Sequence, residues 1–466
     1  MDIKEITSSQ RLPTQVIYDL KRKAIVVPPW KDLQKEYDSS QHPVMTDPFY
    51  RDKPGRKNEG GEKMSRLTLG WIKLAVRRIA ALLFGIPVRR IYNDHDDEDE
   101  KLAAQILEAV YTKNRINAVN KKRARYLYAA CEVATIWYTQ EQPTSYAGQP
   151  CDLKLRCRIF SPFSDKGKGT ENIYPLFDEY DDLVALSLEY TRVEDGNSVQ
   201  YFETYTAEEH IRWRNTATQP EEMLREPFDI GKLPGLYANR PEPIWEDRAR
   251  NVYEVEWSLS RNGNYIRKNS RPTWVVASDE EIEVGQESTS DNDGRNVLRY
   301  PADAKYGYAT WPQAIESLKF HIDEIKRDFF MSLQLPDMSM DNMKATPMSG
   351  EARKMVFIDA QMKAEDESDI WLEYLDRETN VLKAYLAKMY PNLADAFEAL
   401  EVDHKITPYQ INDESERLSN ISTASGGKQF MSQRTAIKEG GYVDDIDAEL
   451  EQIRREEQAD VTEPSF

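Results

Sequence analysis

IWEDRARNVYEVEWSLSRNGNYIRKN, residues 244–269, decides how this chain is organised. Trp245, Val252, Leu259 and Ile266 recur every seven residues, with Ala249 and Val255 between them. That period is helical, because ~3.6 residues per turn bring such positions back to one face. At ~1.5 Å per residue the expected rod is about 39 Å long. A second rod opens at Trp311 and Pro312, where proline suits a first helical turn, and closes before Pro336. Along it Ile315, Leu318, Ile322, Ile325 and Phe329 step by three or four residues. Between the rods lie two strand-like runs, TWVVAS (273–278) and NVLRY (296–300), separated by a polar excursion over 288–294. Each stripe alone is what any core-packed helix shows. A rod, a small β module and a returning rod together predict a protrusion from a body.

Outward from the rods, the pattern before them is a body. VATIWYTQ (133–140), LKLRCRIFSP (153–162), LVALSLEYTRV (183–193) and VQYFETYT (199–206) are strand-like, and Asp195-Gly196 signals a tight turn. They predict an antiparallel sheet packed on the helices ahead of it. Those helices are read over 62–84, ended by Gly85 and Pro87, over 101–119, and from Asn120 onward. The last opens with Lys121, Lys122, Arg123 and Arg125, read as a solvated or salt-bridged face in preference to a phosphate site. Residues 1–60 read as an irregular arm.

After Pro336 comes a methionine-rich stretch, Met338, Met340, Met343 and Met348 with Asp337, Asp341, Asn342 and Lys344. Such a loop is either plastic packing material or a mobile contact. Ser349 then caps a long helix over 350–390 that stops at Pro391, with a bend expected where the polar run 363–369 interrupts its apolar stripe. The tail reads as a strand at 402–409, a helix near 413–421, a helix opened by Ser432 and an acidic helix over 443–457.

Composition narrows the function classes. The 466 residues suffice for about three domains of ~150. Mean hydropathy is −0.72, yet 10% of residues are aromatic, which describes a folded chain with much of its mass at the surface. With 62 Lys and Arg against 81 Asp and Glu the net charge is −19, so gripping nucleic acid by phosphate neutralisation along the whole chain is excluded. Three cysteines, Cys131, Cys151 and Cys157, cannot make a disulfide framework and suggest a reducing compartment. The most apolar stretch, 71–88, is interrupted by Lys73, Arg77 and Arg78 and reads as a soluble helix, so no membrane span is expected.

Catalytic signatures are missing. No GxxxxGK[ST], HExxH or GxSxG occurs, and the five histidines are scattered. The acidic run at 94–100 lacks the glycine of a calcium loop and reads as solvated residues facing a helix N-terminus. No metal or cofactor is expected. An enzyme would need a hidden site in the 131–215 sheet built on His210 or Cys157.

The order of parts resembles the portal proteins of tailed double-stranded DNA bacteriophages over nearly the whole chain. The pieces are AALLFGIPV (80–88), LPGLYANRPEP (233–243), the two rods around a β module, MSGEAR (348–353), SQRTAI (432–437) and VDDIDAELEQIRREE (443–457). None is specific alone, and their collinear order carries the likeness. The resemblance implies an α+β portal fold. Residues 1–60 would be an arm and 61–243 a wing of helices then antiparallel sheet. Stem helices would span 244–270 and 312–335 around a small α/β clip at 271–311. A tunnel loop at 336–348 would be followed by a long kinked helix returning to the wing (349–412) and a small helical crown (413–466).

The resemblance also implies a ring, commonly of twelve subunits, at one capsid vertex, assembled in the host cytoplasm and kept in the virion. Its implied partners are further copies of itself, the major capsid protein, scaffold, the terminase large subunit, a head-tail adaptor and the double-stranded DNA that passes through. Asp337, Met340, Asp341, Asn342, Met343 and Lys344 would lie at the channel, and the apolar stripes of both rods, Trp245 to Ile266 and Ile315 to Phe329, would meet neighbouring subunits. The charge suits a conduit: twelve copies of −19 give about −228, which repels phosphates and favours sliding. A capsid scaffold or minor head protein without a conduit would share the helices and the charge.

Overall fold

The structure, a computed structural model, describes residues 3–22, 25–52, 63–93, 95, 97–163, 171–215, 219–269, 273–277, 289–290, 296–297, 305–309, 315–335, 358–409, 421–423, 431–440 and 446–462. The arm is more regular than its composition suggests, with α1 (Ile3–Ile6), α2 (Pro13–Leu20), α3 (Trp30–Tyr37) and α4 (Pro43–Thr46). Pro13 and Pro43 each sit in a first turn, where no N–H is missed.

The helix read from residue 62 starts only at Trp71: α5 (Trp71–Phe84) follows a stretch without regular secondary structure, 63–70. After β1 (Arg89–Asn93) comes α6 (Glu98–Lys113), whose N-cap Asp97 accepts N–H bonds from Asp99 at 2.8 Å and Glu100 at 3.2 Å. The acidic run is thus a helix cap. Arg115, with φ of 51°, ends that helix and starts α7 (Ile116–Ala130) four residues earlier than the sequence suggests.

The single predicted sheet is two. β2 (Glu132–Tyr146) pairs with β3 (Gln149–Phe160) and with β9 (Gly235–Asn239) in one, ordered β3-β2-β9. The other runs in sequence order through β4 (Asn172–Phe177), β5 (Leu183–Glu194), β6 (Asn197–Thr206), β7 (Glu209–Asn215) and β8 (Pro220–Pro227). All pairings are antiparallel. The β5–β6 turn has Asp195 at φ 50° and Gly196 at φ 83°, the two left-handed residues that a two-residue hairpin needs.

The first rod is α8 (Ala249–Asn269). Asp247, with φ of 56°, cannot continue a right-handed helix, so the rod begins at Ala249 and not at residue 244, and Trp245 lies in the preceding turn. β10 (Thr273–Ala277) pairs with β13 (Lys305–Ala309), and β11 (Thr289–Ser290) with β12 (Asn296–Val297), each antiparallel. The second rod is α9 (Ile315–Ser332).

Then α10 (Ile358–Met389) runs unbroken through the polar stretch 363–369. The stretch does not interrupt packing because Ala364 and Glu367 are buried, Glu367 against Arg240 and Lys363. α11 (Ala394–Ala399) leads to β14 (Glu401–Lys405), which pairs with β1, and α12 (Gln433–Gly440) and α13 (Ile446–Thr462) close the chain. The helix read near 413–421 falls almost wholly outside the described residues. The main core joins α5, α6, α7, β2 and α10, with Trp371, Leu375, Leu382 and Leu386 of α10 fully enclosed. Among the described residues no helix is long and apolar enough to cross a membrane.

Candidate stem interface and its strap

The two rods lie side by side in opposite directions. Near the body Asp328 of α9 accepts from Asn251 of α8 at 2.8 Å and sits 3.5 Å from Arg248. Further out, His321 approaches Glu254 at 3.6 Å. Advancing along α8 therefore means retreating along α9. Their base is locked into the body: Phe329 and Phe330 pack edge to face at 5.2 Å, and Trp71 of α5 contacts both rings. Arg78 lies over the Phe330 ring at 4.7 Å.

Burial changes along the stem. Trp245, Val252 and Phe329 are completely covered by the chain itself, so the lower part of each stripe is not the neighbour-facing surface expected of it. The reason is position, since these residues sit where the rods enter the body. Leu259, Leu318, Ile322 and Ile325 are half-buried. At the outer end Ile266 is 56% exposed and Ile315 65% exposed, joined by Phe320 at 67%. The channel residues Asp337, Met340, Asp341, Asn342, Met343 and Lys344 lie outside the described residues.

A second face of α8 is polar and buried. Glu256, Ser260 and Asn264, one turn apart, are at most 8% exposed. They hold residues 63–70, which run antiparallel to the helix. Leu69 N–H bonds Glu256 Oε1 at 2.6 Å, Leu67 N–H bonds Ser260 Oγ at 2.9 Å, and Ser65 N–H bonds Asn264 Oδ1 at 2.7 Å. Arg267 donates to the Lys63 carbonyl at 2.8 Å. The arm joins the same network. Tyr50 donates its hydroxyl proton to the Ser65 carbonyl at 2.9 Å, while the Asn264 amide donates to the Tyr50 oxygen, closing a cycle. His42 places Nδ1 2.8 Å from Glu256 Oε1 and Nε2 2.8 Å from the Glu36 carbonyl. The sequence reading missed this face. Its signal was three polar residues at four-residue spacing on a rod judged by its apolar stripe.

The residues on which a catalytic site in the sheet would rest, Cys157 and His210, lie largely inside the body. Burial pushes the Cys157 thiol up, away from the reactive thiolate. His210 stacks on Tyr205 with ring centroids 4.2 Å apart, and burial lowers its pKa although Glu203 opposes that. Of the basic cluster, Arg123 is fully enclosed and binds Glu378 through two nitrogens at 2.6 and 3.1 Å. Among the described residues no group of three His, Cys, Asp or Glu side chains is placed to hold a metal ion.

A helix-and-sheet body with a paired helical stem is an architecture, and comparison with known proteins names the family. The chain belongs to the family described as phage portal protein, SPP1 Gp6-like, whose model matches residues 27–463. That family is structural and not enzymatic, and the α+β portal fold expected from the sequence is the one found.

The chain is also similar to solved structures of gene transfer agent (GTA) particles. One is the neck of the empty particle computed with C6 symmetry, 10% identical, covering 91% of this chain and 97% of that chain, with a TM-score of 0.42. Another is the virion of the native particle, 11% identical, covering 91% and 98%, with a TM-score of 0.41. The neck of the native particle computed with C12 symmetry is 12% identical, covers 90% and 95%, and has a TM-score of 0.40. No curated protein matches.

Proposed function

We propose that the chain closes into a ring around an axial channel at one capsid vertex, through which double-stranded DNA is packaged and later ejected. The observation that carries this reading is the stem. Its base is fixed in the body, while its outer end leaves Ile266, Ile315 and Phe320 uncovered in a single chain. Exposed apolar residues on a protruding helix pair call for a covering surface, and further copies around a ring supply one. The acidic charge fits a conduit that must not hold its cargo.

In this reading the ring docks the terminase large subunit and a head-tail adaptor, and the wing meets the major capsid protein and scaffold. The stretch 336–348 would lie at the channel, and Lys344, or Arg353 beyond that stretch, would give local, salt-sensitive contacts to phosphates where it points inward. Electron microscopy of the purified protein tests the reading. Rings with an open channel wide enough for duplex DNA are expected. Solitary subunits at working concentration, or closed discs without a channel, overturn it.

A further inference from the structure

The strap on α8 works by matching two repeats. Glu256, Ser260 and Asn264 step by four residues, ~6.0 Å of helix. Leu69, Leu67 and Ser65 step by two, ~6.6 Å of extended chain. The repeats nearly coincide, so every second N–H meets a side-chain oxygen.

A ladder of that kind does not set its own register, because sliding two strap residues past four helix residues offers the same oxygens to other N–H groups. One contact breaks the degeneracy. A Cβ built on Gly263 would lie 2.6 Å from Ser65 Oγ and 3.1 Å from Ser65 Cβ. Ser65 thus occupies a notch that exists only because residue 263 is glycine. The residues two places to either side, Lys63 and Leu67, are too large for it.

We propose that residues 63–70 form a releasable strap, hinged at Gly70, that closes on α8 in this single register and couples the arm to the outer half of the stem. Little apolar surface holds it shut. Ser65 alone is fully buried, Leu69 is half-buried, and Leu67 and Thr68 are exposed. Two of its three rungs end on the neutral side chains of Ser260 and Asn264, and water replaces such hydrogen bonds at small net loss. Beyond Gly70 the chain enters α5, where Ile72, Val76 and Ile79 are locked in the core. Gly70 is the N-cap of α5, its carbonyl accepting from Leu74 N–H at 2.9 Å, so the strap joins the fixed helix at this residue. When the strap is closed, the cycle of Tyr50, Asn264 and Ser65, with the Arg66–Asp52 pair and the His42–Glu256 contact beside it, ties arm, stem and strap together, and a shift of the arm reaches α8 through these contacts.

Hydrogen exchange on the full chain tests this. The amides of Ser65, Leu67 and Leu69 should exchange together, about tenfold or more faster than those of Ile72 to Ile79. The pair Ser65→Cys with Gly263→Cys brings two Cβ atoms within a few tenths of an ångström of the ~3.5–4.5 Å a disulfide spans. Oxidising that variant should slow the three amides to the α5 rate, and a reductant should restore them. Gly263→Ala should speed them although it improves helix propensity, which separates notch filling from helix weakening. Three results overturn the proposal: strap amides as slow as α5 in the unmodified chain, oxidised protein that exchanges unchanged, or Gly263→Ala without acceleration.

Discussion

Arg123 and Glu378 are both fully enclosed, so neither charge has water to fall back on. Trp137 Nε1 also donates to Glu378 at 2.9 Å and Thr135 accepts from Arg123 at 3.0 Å, which satisfies the pair from several sides. Glu378→Gln keeps the shape and removes the charge, leaving a buried guanidinium uncompensated. It should cost about 3–5 kcal/mol in denaturant unfolding. Acid should loosen the body in two stages. Burial lowers His210 and His404, so the unfolded chain takes up protons first as pH falls below the ordinary histidine value of 6.5. At Glu203 and Glu367 burial pushes the carboxyl up, but the hydrogen bonds and charges of Tyr190, Arg212 and Arg240 more than reverse it. Their stabilisation is complete above the ordinary value of 4.5 and is lost as pH falls through the lower folded values. Melting temperature should therefore decline from about pH 6.5 downward and more steeply below about 4.5, and a flat profile over that range would contradict the assignment.

At the scale of elements the stem carries the next expectation. Leu259→Glu and Ile322→Asp place charges on half-buried positions of the two rods. Sedimentation should show folded monomers in place of rings, and intact rings for both variants would count against stem-mediated assembly. The rods were readable from the sequence because a seven-residue apolar period is a local property. Their start was misjudged because Asp247 breaks the helix through its backbone conformation, which leaves no mark in an apolar count. The strap was misread for a different reason. Leu67, Trp71 and Leu74 step by four and three, imitating one more turn of α5, whereas the hydrogen bonds that hold 63–70 against α8 come from Ser260 and its neighbours far along the chain. The two sheets were read as one because strand pattern reveals pairing faces but not which pairs share a ladder.

For the whole molecule, assembly and cargo handling should separate. Residues 341–344 lie between α9 and α10 in the chain, and on the proposed reading deleting them should let rings form normally while DNA filling or retention drops in a packaging assay. Normal filling would remove that stretch from the channel. Portal membership follows from the matched family over 27–463, and the collinear order of short strings made it readable in advance although no single string did.

The two sides of the stem differ. Among the described residues the strap covers one face of α8, whereas Ile315 and Phe320 of α9 are exposed, so in the proposed ring successive copies would join head to tail through unlike surfaces. In the proposed ring a subunit spoiled on its α9 side by Ile322→Asp would still present a sound opposite side, and it would be recruited before it halts growth, as a chain terminator halts a polymer. In mixed expression a small fraction of such subunits should poison closure far beyond its share.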